Sequence, residues 1–266
     1  MSDNDPPAWL VRLGRIGYAA KGFIYIVVGL LAVRASMGFG GETTDTRGAI
    51  EAIGDAPFGM LAVLVVSLGL LGYAAWRFVS ALADAERRGR SLKAVTLRVG
   101  EALRGLVYGV LGAWTLKYLI DREGDSGDKT REVTRWVMHI PAGRWLVIGA
   151  GLGILSYAVY QMYRAFRRKF LKRLDLSQAG DLSRKLIERL GGFGIAARAI
   201  VFGMIGLLVL RAGWHYNPAE AGGIEKSLDT IRNYSLIFAI VAAGLIAFGI
   251  LQIVIARYRI MRESDQ

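Results

Sequence analysis

The chain alternates between long apolar stretches and shorter segments that carry most of its charged residues. Six stretches are almost free of charge, at about residues 15–36, 58–82, 99–119, 143–163, 194–213 and 234–256. A hydrocarbon core of ~30 Å is crossed by about 20 helical residues, which each of these stretches supplies. The pattern therefore predicts an all-α, polytopic membrane protein with six transmembrane helices.

The first, third and fifth of these helices share one motif, in which glycine, a basic residue, an aromatic residue and glycine follow at intervals of four. The three copies begin at Gly17, Gly100 and Gly194. A second basic residue follows the first by 13 positions in every copy, at Arg34, Lys117 and Arg211. Such self-similarity at a fixed period indicates a duplicated structural unit.

The second, fourth and sixth helices repeat as well. Their shared glycine and aromatic pairs are Gly69 with Tyr73, Gly153 with Tyr157, and Gly244 with Phe248. Four residues later stand Arg77, Gln161 and Gln252. A short amphipathic stretch precedes each of these helices, and apolar residues at i, i+4 and i+7 predict a short helix there.

The sequence thus predicts one membrane domain over residues 1–266, with repeats at about 9–83, 92–166 and 182–258. Each copy holds two spans, so all three copies enter the membrane in the same orientation. Parallel repeats are related by an axis along the membrane normal. We therefore expect three parallel helical-hairpin repeats in a pseudo-threefold arrangement.

The openings "RLGRIGYAAKGFIYIVVGLLAVRA" and "RLGGFGIAARAIVFGMIGLLVLRA" resemble a bacterial membrane protein family, domain of unknown function 1206. The resemblance covers nearly the whole chain and implies three two-helix transmembrane repeats, with no activity attached. The second copy departs from the pattern, since Glu101 stands where the first copy has Tyr18.

Composition and charge support a membrane location. Apolar residues make up 53% of the chain, mean hydropathy is +0.36 and the net charge is +12. The termini and the segments on their predicted side carry 19 Lys and Arg, against 8 on the other side. Basic residues stay inside during insertion, which predicts a multi-pass inner-membrane protein with both termini cytoplasmic. The N-terminus is polar and has no basic region leading into a short apolar core and cleavage site, so we expect no cleaved signal peptide. The positive charge is expected to contact anionic lipid headgroups, not nucleic acid.

The repeated cations Lys21, Arg104 and Arg198 are the candidate binding residues, for an anion or a lipid phosphate. One interpretation is that they snorkel to the membrane surface as anchors. The other is that they face the interior, where a charge usually marks a substrate path or a partner. Candidate lining residues of such a pathway are Tyr25, Tyr108, Phe202, Arg77, Gln161 and Gln252.

Two functions remain open from the sequence. The first is a pathway or binding site for an anion or small solute, that is, a channel or transporter. The alternative is a non-transporting scaffold whose basic cytoplasmic face binds anionic lipid or a partner protein. We expect no enzyme, no cofactor, no catalytic residue and no metal site, because the chain has no cysteine and two isolated histidines. Glu101 is expected to pair with Arg104 on the same helix.

Overall fold

The computed structural model describes residues 8–36, 45–82, 91–121, 129–168, 170–171, 174–177, 181–232 and 234–258, and these ranges are almost entirely helical. Six long helices occupy the six apolar stretches. They are α1 (Ala8–Ser36), α3 (Gly59–Leu82), α4 (Leu92–Asp121), α6 (Gly143–Phe166), α7 (Asp181–Trp214) and α9 (Ser235–Tyr258). The helical prediction is confirmed, and the amphipathic lead-in to the third repeat continues into α7 without a break.

Three short helices precede the second long helix of each repeat, as the amphipathic spacing predicts. They are α2 (Thr46–Gly54), α5 (Lys129–Met138) and α8 (Ile224–Arg232). Asp45 caps α2, because its carboxylate accepts hydrogen bonds from the amides of Arg47 and Gly48. All three lie at one end of the bundle, called here the short-helix end, since each connects a long helix to its antiparallel successor.

Five helices in the described part of the chain are long and apolar enough to cross a membrane: α1, α3, α6, α7 and α9. The remaining long helix, α4, carries Glu101 and Arg104 inside its apolar stretch, and these two charges lower its mean hydropathy. Its outward surface is nevertheless apolar, with Leu106, Val107 and Val110 exposed. Apolar side chains on the outside are expected of a helix that faces lipid.

The long helices pack in the order α4, α3, α1, α9, α7, α6. Three of these contacts join the second helix of one repeat to the first helix of another: α3 with α4, α6 with α7, and α9 with α1. Two more join the helices of one repeat, α1 with α3 and α7 with α9. The corresponding pair in the second repeat, α4 and α6, is not in comparable contact.

Glycines set how closely these helices approach. A Cβ built on Gly22 would lie 2.6 Å from the carbonyl oxygen of Gly249, so α1 and α9 touch backbone to backbone. A Cβ on Gly194 would lie 2.3 Å from the backbone nitrogen of Phe248 on α9. Gly100, the equivalent position in the second repeat, has nothing within 4 Å. Small residues at a helix interface permit this close packing.

We predict that Gly194→Ala lowers the stability of the protein while Gly100→Ala does not. The methyl group at residue 194 must displace the α9 backbone, at a cost of about 1–3 kcal/mol typical of overpacking. The methyl group at residue 100 meets open space, and alanine stabilises a helix by roughly 0.5–1 kcal/mol relative to glycine. The measurement is thermal unfolding of both variants in the same detergent. An equal decrease in unfolding temperature for the two variants would contradict the difference in packing between the repeats.

Candidate functional site

One cavity of about 490 Å³ lies between the long helices. Four positions of the repeat each occur in three copies, and all of these residues line the cavity. We call the three copies of one position a layer. The layers are Lys21, Arg104 and Arg198; Tyr25, Tyr108 and Phe202; Tyr73, Tyr157 and Phe248; and Arg77, Gln161 and Gln252. The nine candidate residues from the sequence are therefore brought together at a single site, which we call the cationic cavity.

The first cations of the three motifs face this cavity. Lys21 is 6% exposed and Arg198 is 8% exposed, while the side chain of Arg104 is 38% exposed. The second cations, Arg34, Lys117 and Arg211, are exposed near the ends of their helices. The exposed second cation of each motif thus fits the interpretation as a surface anchor. The first cation, which lines the cavity, fits the interpretation as an interior residue.

Glu101 holds two of the cavity's arginines. Its Oε2 accepts a hydrogen bond of 2.5 Å from Arg77 Nη1, and its Oε1 accepts one of 2.9 Å from Arg104 Nη1. Arg77 also donates to the hydroxyl of Tyr18 through Nη2. The predicted pair with Arg104 is present, and it extends into a buried network that ties α4 to α3 and α1.

Lys21 has a different environment, made of aromatic faces. Its Nζ lies 4.8 Å from the ring centroid of Tyr108, 5.5 Å from that of Tyr73 and 5.7 Å from that of Phe248. Among the residues that the structure describes, none forms a hydrogen bond or an ion pair with this ammonium group. Aromatic faces attract a cation, but they leave its N–H donors without acceptors.

Arg198 is likewise surrounded by rings. Its Nε donates a hydrogen bond of 3.2 Å to the Tyr25 hydroxyl. Its guanidinium carbon lies 4.3 Å from the ring centroid of Phe202 and 4.8 Å from that of Phe248. Within the described ranges, no carboxylate lies within ion-pair distance of this group. Lys21 and Arg198 are therefore two buried cations that form no ion pair with a described side chain.

The amide layer contains a further group without a partner. Gln161 Oε1 accepts a hydrogen bond of 3.0 Å from Arg164 Nη1, whereas the buried Gln252 Oε1 has no hydrogen-bond partner in the described part of the chain. Buried amide oxygens are nearly always hydrogen-bonded in native proteins. Among the described residues, the cavity thus presents cationic donors and a free acceptor, Gln252 Oε1.

Tyr18 is a cavity residue that sequence reasoning did not select. The signal was available, since Tyr18 occupies the position that is Glu101 in the second repeat. Both side chains contact Arg77, one through a hydroxyl and the other through a carboxylate. Comparison of the repeats column by column would have placed Tyr18 at the site.

The polar residues at the short-helix end form a separate surface group. His215 Nδ1 lies 2.9 Å from the carboxylate of Glu220, and Arg211 Nε lies 3.3 Å from it. The hydrogen bond with His215 holds the pKa of Glu220 below its usual range, and Arg211 acts in the same direction. No group of three or more His, Cys, Asp or Glu in the described ranges is placed to hold a metal ion.

Two comparisons with known proteins identify relatives of this chain. The family described as Domain of Unknown Function (DUF1206) matches three times, at residues 16–84, 99–168 and 193–259. The chain is 30% identical to "Uncharacterized protein YxxB" of Bacillus subtilis (strain 168) over 256 residues, which is 95% of this chain and 92% of the relative. No solved structure matches it. With three matched segments and a relative aligned nearly end to end, the chain belongs to the family described as Domain of Unknown Function (DUF1206).

Proposed function

We propose that this protein crosses the inner membrane six times, with both termini in the cytoplasm and the three repeats arranged about a pseudo-threefold axis. The equivalent contacts of α3 with α4, α6 with α7 and α9 with α1 support the axis. The apolar outer face of α4 and its close packing against α3 support a sixth span. The excess of Lys and Arg in the segments on the side of the termini supports the orientation.

Within that bundle, we propose that the cationic cavity binds an anion or a small anionic solute. The observation that carries this proposal is that Lys21 and Arg198 are buried in long apolar helices, with no carboxylate partner in the part of the chain that the structure describes. A charge at the centre of a bilayer costs roughly 2.5–3.5 kcal/mol on insertion scales and is usually functional. A bound anion would offset that cost by accepting hydrogen bonds from both groups.

The extent of the cavity favours a pathway over a closed pocket. Its lining reaches from Phe170 and Leu174, beyond the end of α6, to Thr46 and Ile224 at the short-helix end. The two ends of this lining therefore lie toward opposite ends of the bundle. Rings of Arg and Lys are a common means of selecting anions in pores. We propose binding and passage without catalysis.

The scaffold function and the binding function differ in whether the cavity contains water. A binding site for an anion must be wet when it is empty, while a scaffold needs only a packed interior. The basic segment after α6, with Arg167 and Arg168 exposed, is the surface that a scaffold would use to bind anionic lipid. Accessibility of the cavity to a soluble reagent separates the two functions.

We predict that cysteines placed at Tyr108 and Phe202 react with a small, membrane-impermeant thiol reagent in intact membranes. Both positions line the cavity, and the protein contains no cysteine of its own. The matched control is Val28→Cys, because Val28 lies on α1 in the packed core and is 1% exposed. Reaction at residue 28 is expected only after denaturation. If residues 108 and 202 react no faster than residue 28, the cavity is dry and the scaffold function replaces the binding site.

We also predict that Lys21→Met removes anion binding and raises the stability of the unliganded protein. Methionine has a similar volume to lysine and carries no charge. The substitution therefore raises the free energy of unfolding of the unliganded protein by on the order of 2–3 kcal/mol. Thermal unfolding in detergent, with inorganic phosphate exchanged for chloride at constant ionic strength, measures both effects. Phosphate should raise the unfolding temperature of the wild type and leave that of Lys21→Met unchanged.

Lys117→Met is the matched control for that experiment. Lys117 is the second cation of its motif, and its side chain is exposed and 3.9 Å from Asp121. Its loss should change neither the unliganded stability by more than about 0.5 kcal/mol nor the response to phosphate. A Lys21→Met protein that responds to phosphate as the wild type does would contradict the proposed role of Lys21.

A further inference from the structure

The second repeat is open where the other two are closed. In the first repeat, a Cβ on Gly69 of α3 would lie 2.7 Å from the Cβ of Ala20 on α1. In the third, a Cβ on Gly244 of α9 would lie 2.1 Å from the Cβ of Ala197 on α7. Gly153 of α6 is the equivalent glycine of the second repeat, and it has nothing within 4 Å. We call the space between these two helices the α4–α6 gap.

One sequence difference between the repeats coincides with this opening. Ala20 and Ala197 each precede the first cation of their motif, and the second repeat has Leu103 there. The alanine methyl groups already fill the space in front of Gly69 and Gly244. A leucine side chain has three more carbon atoms than an alanine methyl group. It cannot occupy that space without separating the helices.

The gap connects the cationic cavity with the outer surface of the bundle. Leu103 and Val107 of α4 line the cavity, and they are also 58% and 63% exposed. Arg104 extends from α4 toward α6, where its guanidinium carbon lies 6.0 Å from the ring centroid of Tyr157. The wall of this opening is thus apolar on the outside and cationic on the inside, at the depth of the membrane-spanning helices.

We propose that the α4–α6 gap admits an anionic phospholipid from the bilayer, whose phosphate binds Lys21 and Arg198 while its acyl chains remain between α4 and α6. This inference rests on the proposed function and specifies its ligand. An apolar opening toward lipid gives a free, hydrated phosphate no favourable contact on its way in. An amphiphile satisfies both surfaces, because its chains pack on leucine and valine and its headgroup neutralises the buried cations.

The interior of the cavity fits a headgroup of this kind. Lys21 presents three N–H donors without an acceptor among the described residues, and phosphate oxygens are strong acceptors for such donors. Gln252 Oε1 is a buried acceptor without a donor, which suits a headgroup that carries a hydroxyl group. A volume of about 490 Å³ lies within the range of small-molecule sites and leaves the chains outside. Phosphatidylglycerol has this combination of phosphate and hydroxyl groups.

The test compares two lipids and one soluble anion on purified protein in detergent. The probes are phosphatidylglycerol, phosphatidylcholine with the same acyl chains, and inorganic phosphate at constant ionic strength. Phosphatidylglycerol should raise the unfolding temperature of the wild type more than phosphatidylcholine does. Gly153→Trp, which fills the gap but keeps every cation, should lose that difference and retain the response to phosphate. Lys21→Met should lose both responses.

Val159→Trp is the matched control, because Val159 lies on the same helix and is exposed away from the cavity lining. It should behave as the wild type with all three probes. If Gly153→Trp does not fold, a second pair of variants on α4 replaces it. Leu103→Trp is then the test variant and Leu106→Trp is its control. Leu103 lines the cavity and Leu106 does not, although they are 58% and 56% exposed.

The outcomes separate this inference from the proposed function. Retention of the phosphatidylglycerol response by Gly153→Trp or by Lys21→Met would place the lipid elsewhere on the protein and overturn the inference. A wild type that responds to phosphate but not specifically to phosphatidylglycerol would also overturn it, while the anion site would stand. A wild type that responds to neither probe would overturn both.

Discussion

The uncompensated positive charge inside the bundle is the constraint on which the rest of the structure depends. Arg77 and Arg104 share the carboxylate of Glu101, while Lys21 and Arg198 have aromatic rings around them and no carboxylate partner within the described ranges. Buried ions are tolerated when they are paired, hydrated or bound to a ligand. The tyrosines and phenylalanines lower the cost of these two charges through their negative ring faces, and they leave the hydrogen-bond donors available.

Duplication explains how so many functional groups meet at one place. A residue at one position of a two-helix unit appears three times, and for four such positions all three copies line the same cavity. The site is therefore built in layers, with cations, aromatic rings and amides each repeated. The same duplication makes every departure informative, because two unchanged copies show what the third has lost or gained. Leu103 and Glu101 are the two departures that matter here.

The sequence predicts the elements of this protein better than it predicts how the repeats differ. Periodicity and length were enough to place all six long helices and the three short ones, and the repeat alignment selected nine residues that share one cavity. It could not show that Arg77 on α3 reaches Glu101 on α4, since that contact depends on which helices become neighbours. It also could not show the open second repeat, because the approach of two helices depends on their packing in three dimensions, although Leu103 stands where the other repeats have alanine.

The position of Glu101 explains why the described residues of the site do not form a closed set of ion pairs, which is the basis of the proposed anion binding. The equivalent positions in the first and third repeats are Tyr18 and Ile195, which are neutral. Carboxylates at all three positions would provide three acidic groups, and the buried cations could then form ion pairs without a further partner. Among the described residues, Arg77 and Arg104 pair with this one carboxylate, and Lys21 and Arg198 pair with none. The α4–α6 gap thus lies in the same repeat that carries Glu101, the carboxylate that pairs with Arg77 and Arg104.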